Sequence, residues 1–105
     1  MVDKMLNLTI KKIWFDMIAS GEKKEDYREL KDYWWSRLTE LIGNEQPYRK
    51  FDLIVFRNGY NKNSPVMTAE CLGITAGIGK IEWGAPSTVC LIIHIGKVIM
   101  IHHGN

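Results

Sequence analysis

Charged residues of both signs are concentrated between Gly21 and Arg28, where the sequence reads Gly-Glu-Lys-Lys-Glu-Asp-Tyr-Arg. The ammonium of Lys23 and the guanidinium of Arg28 are donors suited to a carbonyl or a phosphate group. A small domain does not need such a cluster in order to fold, because an exposed ion pair contributes only about 0–1 kcal/mol. The residue types favour a site for a polar, planar or anionic ligand. The alternative is a solvated ion-pair network along a sheet.

Glu70 and Arg57 are isolated charges in apolar surroundings. Glu70 is the only charged residue between Lys62 and Lys80. Arg57 follows an apolar run and is the only charge between Asp52 and Lys62. A buried carboxylate without a partner is costly and shifts its pKa, so Glu70 either faces water at an edge or meets a cation.

We expect Lys23, Arg28 and Glu70 to line one pocket. In that pocket Glu70 would accept a hydrogen bond from an exocyclic amine or act as a general base. Strand alternation places Lys23 and Arg28 on opposite faces, so Lys23 must reach the pocket from the bend after Gly21.

Two loops hold further candidates. Arg57 and Asn58 could read base edges while Tyr60 stacks on a base, or the same residues could form a polar turn around Gly59. Trp83 precedes Gly-Ala-Pro in a second loop and is either a lid on the pocket or a cap on the end of the sheet.

The hydrophobic periodicities predict the element order β-α-β-α-β-β-β. The first helix should end at Gly21, and Asp32 should cap the N-terminus of the second. The predicted strands cover residues 6–10, 23–30, 51–56, 66–74 and 88–101, the helices lie between 11 and 21 and between 32 and 43, a kink or turn falls at 96–97, and residues 102–105 fray.

This order predicts a single α+β domain over residues 1–105. Two early helices followed by a run of strands do not match the regular alternation of a doubly wound sheet. We expect a small, curved and partly closed sheet, close to a β-barrel, with about two flanking helices.

Composition excludes several classes of protein. Up to Lys62 the chain contains 12 of its 14 basic and 10 of its 12 acidic residues, so it is not polycationic, and broad binding to duplex nucleic acid is not indicated. The longest apolar run, around Val89 to Ile95, is far below the roughly 18 residues that span a membrane. The N-terminal residues 1–4 lead into no long apolar stretch. We expect a cytoplasmic protein with no membrane partner.

The cysteines and histidines do not indicate a metal or a cofactor. Cys71 and Cys90 each lie in an apolar run without CxxC spacing, which predicts two buried free thiols. His94 has no ligand partner in sequence, and the adjacent His102 and His103 diverge on an extended chain.

The segment after the first helix resembles the signature of the ASCH domain family, a branch of the PUA-like superfamily. The family pattern G-x-K-x-x-E-x-R corresponds to Gly21, Lys23, Asp26 and Arg28, with aspartate in place of the usual glutamate. The upstream residues 17–20, Met-Ile-Ala-Ser, also match the family's apolar-then-small run. Family members are about this long, so the resemblance covers nearly the whole chain.

The resemblance implies a PUA-like β-barrel whose cleft binds RNA, a nucleotide or a nucleoside. One branch of the family consists of amidohydrolases that deacetylate N4-acetylcytidine with a lysine, a threonine and a glutamate. The lysine corresponds to Lys23 and the glutamate to Glu70, but Asp26 occupies the threonine position and cannot supply a hydroxyl nucleophile. In the alternative enzyme, Thr68 or Thr75 would have to provide it. Other members of the family are proposed ribonucleases.

Three functions therefore follow from the sequence. The first is a module that binds RNA or a nucleotide through Lys23, Asp26, Arg28 and Glu70. The second is an amidohydrolase with Lys23 and Glu70 as catalytic residues. The third is a protein-interaction domain that uses the aromatic surface Tyr-Trp-Trp at 33–35. The oligomeric state stays open.

Overall fold

The computed structural model describes residues 4–103 of the 105-residue chain. The predicted order of strands and helices is confirmed, with a short 3₁₀ turn added before the last strand. The elements are β1 (Met5–Thr9), α1 (Lys12–Ala19), β2 (Glu25–Arg28), α2 (Asp32–Leu38), β3 (Leu53–Arg57), β4 (Val66–Gly77), the 3₁₀ turn Ile81–Trp83, and β5 (Cys90–His102).

All five strands belong to one curled sheet in the order β1-β3-β4-β5-β2. β1 pairs with β3 in parallel, and the other neighbours are antiparallel. The two edge strands of the sheet, β1 and β2, therefore both come from the first 28 residues of the chain. The predicted α+β class with two helices and a curved, partly closed sheet is confirmed at this level.

The core is built from side chains of the sheet together with those of the two helices. Period-two alternation in β1 buries Leu6 and Leu8, and α1 contributes Phe15 and Ile18 from one helical face. α2 adds the fully buried Leu38. The middle strands complete this core with buried Ile54, Phe56, Met67, Leu91 and Ile93.

α2 is shorter than the sequence predicts. It ends at Leu38, because the Thr39 hydroxyl and amide both bond the Trp35 carbonyl and Thr39 then pairs with Tyr48 as a β-bridge. Leu41 consequently lies outside the helix and is 72% exposed. The predicted capping role of Asp32 is also wrong: Asp32 is the first helical residue, and the cap position before it makes no side-chain hydrogen bond.

The kink predicted at residues 96–97 is confirmed as a β-bulge. Ala69 pairs with Val98 and Cys71 pairs with Ile95, so Glu70 alone lies opposite two residues of β5. Bulges release a backbone group from the ladder and increase the local bend of a strand. Here the Glu70 carboxylate accepts a hydrogen bond of 2.9 Å from the released Lys97 amide.

The structure describes only part of the two chain ends for which the sequence analysis made predictions. His102 belongs to β5 instead of fraying, and residues 104–105 of the predicted frayed end lie outside the described residues. The expectation for residues 1–3 likewise lies outside them. Within residues 4–103, no helix has the length and apolar character that crossing a membrane requires.

The bulge gives the first testable prediction. Glu70→Ala should lower the free energy of unfolding by about 0.5–1.5 kcal/mol, because the Lys97 amide loses its acceptor. Glu70→Gln keeps a side-chain oxygen and should lose less. Urea unfolding at neutral pH measures both variants. Equal losses in the two variants would show that the hydrogen bond is not what Glu70 contributes.

Candidate functional site

A pocket of about 230 Å³ opens where β1 approaches β2, the opposite edge of the sheet. The β1–α1 segment forms one wall, β2 a second, and the 3₁₀ turn a third. The lining residues are Thr9, Ile10, Lys11, Trp14, Lys23, Asp26, Tyr27, Arg28, Trp83 and Gly84.

Lys23 enters the pocket from the bend after α1, as the sequence requires. Gly21 adopts a φ of 86°, which glycine accepts at low cost, and the Lys23 amide then bonds back to the Met17 carbonyl at 3.0 Å. β2 begins only at Glu25, so strand alternation does not govern the direction of the Lys23 side chain. The bend turns this side chain inward, where Lys23 is only 3% exposed.

The Lys23 ammonium is surrounded by aromatic rings and one carbonyl. Its Nζ donates a short hydrogen bond to the Trp83 carbonyl oxygen. The same atom lies 5.1 Å from the centroid of the Trp14 ring and 4.7 Å from that of Tyr27. Cation–π contacts of this kind are stronger when the cation is shielded from water.

Burial lowers the pKa of Lys23 from 10.5 to about 8. The Asp26 carboxylate opposes that change, the Arg28 guanidinium adds to it, and Glu25 opposes it more weakly. Lys23 therefore loses its proton and becomes a neutral amine at a lower pH than an exposed lysine does.

Asp26 and Arg28 form a buried ion pair beside the ammonium. Arg28 Nε donates to Asp26 Oδ2 at 2.7 Å, and Nη2 lies 3.4 Å from Oδ1. Nη2 also lies 3.4 Å from the Thr9 carbonyl oxygen, so Arg28 connects the two edge strands. The remaining face of the guanidinium packs on Trp34, with Cζ 4.7 Å from the ring centroid.

Two glycines allow aromatic rings of the pocket to pack directly against the backbone. A Cβ on Gly84 would lie 2.8 Å from Cζ2 of Trp14, and one on Gly79 would lie 2.4 Å from Cε1 of Tyr27. The Tyr27 hydroxyl is held by Glu25 at 2.7 Å and by the Lys80 amide at 3.0 Å. Burial raises the pKa of Tyr27, so it stays a neutral donor.

Other predicted site residues lie elsewhere. Glu70 does not line the pocket, since it is exposed and occupied with the bulge. Arg57 and Asn58 support the pocket from behind: the Arg57 carbonyl accepts from the Ile10 amide, and the Asn58 amide group donates to the Ile10 carbonyl at 3.0 Å. Tyr60 is 90% exposed in the turn and is not part of the lining.

The pocket lining includes two aromatic residues that the sequence analysis does not place there. Trp14 packs partly against the core while its ring also faces Lys23, and the ring of Tyr27 faces the same ammonium. The sequence feature that could have indicated these ring positions is the glycine at 79 and at 84, because a glycine allows a ring to approach the backbone closely. The aromatic surface at 33–35 is only partly a surface, because Trp34 and Trp35 pack against the core while Tyr33 is exposed.

No metal centre is apparent in residues 4–103, where no group of three or more His, Cys, Asp and Glu side chains could hold an ion. Both cysteines are free, as predicted, although Cys71 is only partly buried.

The lowered pKa of Lys23 predicts a pH-dependent stability. Between about pH 8 and pH 10.5 the unfolded chain binds the Lys23 proton and the folded protein does not, so the free energy of unfolding rises with pH in this window. Relative to Lys23→Met, the wild type should gain about 2 kcal/mol over that window. Urea unfolding of both proteins measures the difference.

Comparing the two proteins is necessary because other groups titrate at high pH. Burial also raises the pKa of Cys71, Cys90 and Tyr27, which lowers stability at alkaline pH, but these groups are present in both proteins. A difference that stays constant across the window would show that Lys23 titrates normally.

No family model, curated protein or solved structure matches this chain. The likeness to ASCH domains therefore depends on sequence features only, chiefly the pattern of Gly21, Lys23, Asp26 and Arg28 and the run at 17–20 before it. In the structure the three charged members of that pattern meet in one pocket.

Proposed function

We propose that the protein binds RNA, a nucleotide or a nucleoside, with a base or phosphate held in the pocket of Lys23 and Arg28. The observation behind this proposal is a buried ammonium placed among aromatic rings and beside a partly buried guanidinium. Burying both cations is costly, and Asp26 balances only one of them. A ligand that brings acceptor oxygens would satisfy the second.

The charge of the lining favours an anionic or acceptor-rich ligand. Lys11, Lys23 and Arg28 are opposed by the single carboxylate of Asp26. Arg28 is oriented by that carboxylate and by Thr9, so its geometry is fixed before a ligand arrives. Preorganised cations of this kind suit a phosphate or a base carbonyl.

The aromatic walls and the size of the pocket favour one base or nucleoside. Trp14, whose ring lies beside the Lys23 ammonium, contributes a flat surface of the type on which bases stack. A volume of about 230 Å³ is below the roughly 300 Å³ at which sites for drug-sized ligands begin. The likeness to ASCH domains, and with it a PUA-like fold, is part of the same proposal.

Removal of the buried ammonium should weaken binding. Lys23→Met keeps the length of the side chain and should lower affinity for nucleotides about tenfold or more, because one charge-assisted contact is lost. Isothermal titration with the nucleosides, their 5′-monophosphates and short RNAs measures this loss.

Lys24→Met is the matched control, because Lys24 is exposed and does not line the pocket. It removes the same charge one residue away, and circular dichroism shows whether both variants fold. Equal affinities in wild type, Lys23→Met and Lys24→Met would contradict the assignment of the pocket.

An amidohydrolase is the second candidate, and the pKa of Lys23 is the observation that favours it. With a pKa of about 8, a substantial fraction of Lys23 is a neutral amine near pH 8 and can take a proton from an attacking nucleophile. Thr9 is the threonine among the lining residues and would have to supply the hydroxyl nucleophile, whereas Asp26 is held by Arg28. Glu70 has no part in this version of the mechanism.

This candidate predicts hydrolysis of N4-acetylcytidine. The rate should rise with pH through about 8, as Lys23 loses its proton, and should vanish in Lys23→Met. Liquid chromatography of released cytidine and acetate measures turnover. No release above the uncatalysed rate would leave binding as the function, and activity that persists in Lys23→Met would exclude Lys23 as the base.

A further inference from the structure

We propose that a second groove, between β1 and α2, binds the next nucleotide of the same ligand, so that the preferred ligand is single-stranded nucleic acid and not a mononucleotide. This inference rests on the proposed function of the first pocket. The groove has a volume of about 460 Å³. The residues used in the argument are Asn7, Tyr33, Trp34, Arg37, Arg49 and Phe51.

The contact between Arg28 and Trp34 connects the pocket with the groove. Arg28 lines the pocket, Trp34 lines the groove, and the guanidinium carbon lies 4.7 Å from the ring centroid. β1 runs along both sites, with Asn7 in the groove and Thr9 two residues further on in the pocket. One extended ligand can therefore contact both sites across this stacked pair.

Positive charge is concentrated in these two sites. Arg37 and Arg49 line the groove, and none of its lining residues is acidic. Together with the pocket, the lining holds five cations and one carboxylate, although the whole chain has a net charge of only +2. No carboxylate of the described residues lies within ion-pair distance of either groove arginine. A polyanion is the ligand that this distribution suits.

The aromatic residues of the groove indicate that the bases of this polyanion are unpaired. Tyr33 is half exposed and lies edge-on to Trp34 at 4.9 Å, and Arg37 Cζ lies 4.4 Å from the Tyr33 ring centroid. Aromatic rings and guanidinium groups stack on bases that have left a duplex. Phosphate contacts from arginines next to stacking rings are typical of sites for single strands.

The test compares the affinity for tetranucleotides with the affinity for mononucleotides, in the wild type and in two variants. Wild type should bind the tetranucleotides of A, C and U at least tenfold more tightly than the matching 5′-monophosphates, as measured by isothermal titration. Arg49→Gln should remove most of that gain, lower the salt dependence of tetranucleotide binding, and leave monophosphate affinity within twofold. Lys50→Gln removes the same charge at an exposed neighbour outside the groove and should change neither.

The outcomes separate this inference from the proposed function. If monophosphates bind through Lys23 but tetranucleotides bind no better, or if Arg49→Gln and Lys50→Gln behave alike, the groove is not a subsite and the pocket assignment stands. If neither ligand binds the wild type, both assignments fail. Tyr33→Ala is the second variant, in case Arg49→Gln does not fold.

A last control addresses stacking. Inorganic tetraphosphate has the backbone charge without bases and should compete with a tetranucleotide at least tenfold more weakly than an unlabelled tetranucleotide does. Equal competition would show that charge alone is recognised, and it would overturn the assignment of a single-stranded ligand.

Discussion

The buried ion pair between Asp26 and Arg28 is the interaction on which the site depends. A curled sheet that does not close leaves two edges, and here Arg28 on one edge reaches the Thr9 carbonyl on the other. The carboxylate of Asp26, only 4% exposed, holds the guanidinium at that junction. A charged group at this junction must be paired, because an isolated buried charge costs several kcal/mol. The same pair therefore stabilises the meeting of the edges and sets the charge of the pocket.

The rest of the fold brings other groups to this junction. The bulge at Gly96 and Lys97 bends the long β4–β5 pair, and Glu70 satisfies the amide that the bulge releases. The 3₁₀ turn that joins these strands returns Trp83 to the Lys23 ammonium. Gly84 permits that return, because its φ of 93° and its closeness to Trp14 both exclude a side chain. The bulge, which bends the sheet far from the site, and Gly84, which lies close to Trp14 at the site, therefore both contribute to the shape of the pocket.

Local patterns made the element order and the charged segment predictable, whereas the long-range partners were not. The alternation of Leu6 and Leu8 and the glycine at 21 act within a few residues, so they are visible in the sequence. Glu70 shows the limit: its isolation suggested either exposure to water or a cation as partner, and the structure leaves it exposed with a hydrogen bond from a backbone amide that a bulge releases. Bulge register and the return of the 3₁₀ turn depend on how distant strands pair. The position of the Trp14 ring beside Lys23 depends on the same long-range contacts, and for this reason it was not predicted.

The two candidate functions use opposite protonation states of one side chain. Binding of an anion needs the Lys23 ammonium, and a bound anion stabilises the proton in turn, so ligand and proton reinforce each other. Amide hydrolysis needs the neutral amine, which becomes more abundant as pH rises through about 8. Affinity and turnover should therefore change in opposite directions with pH.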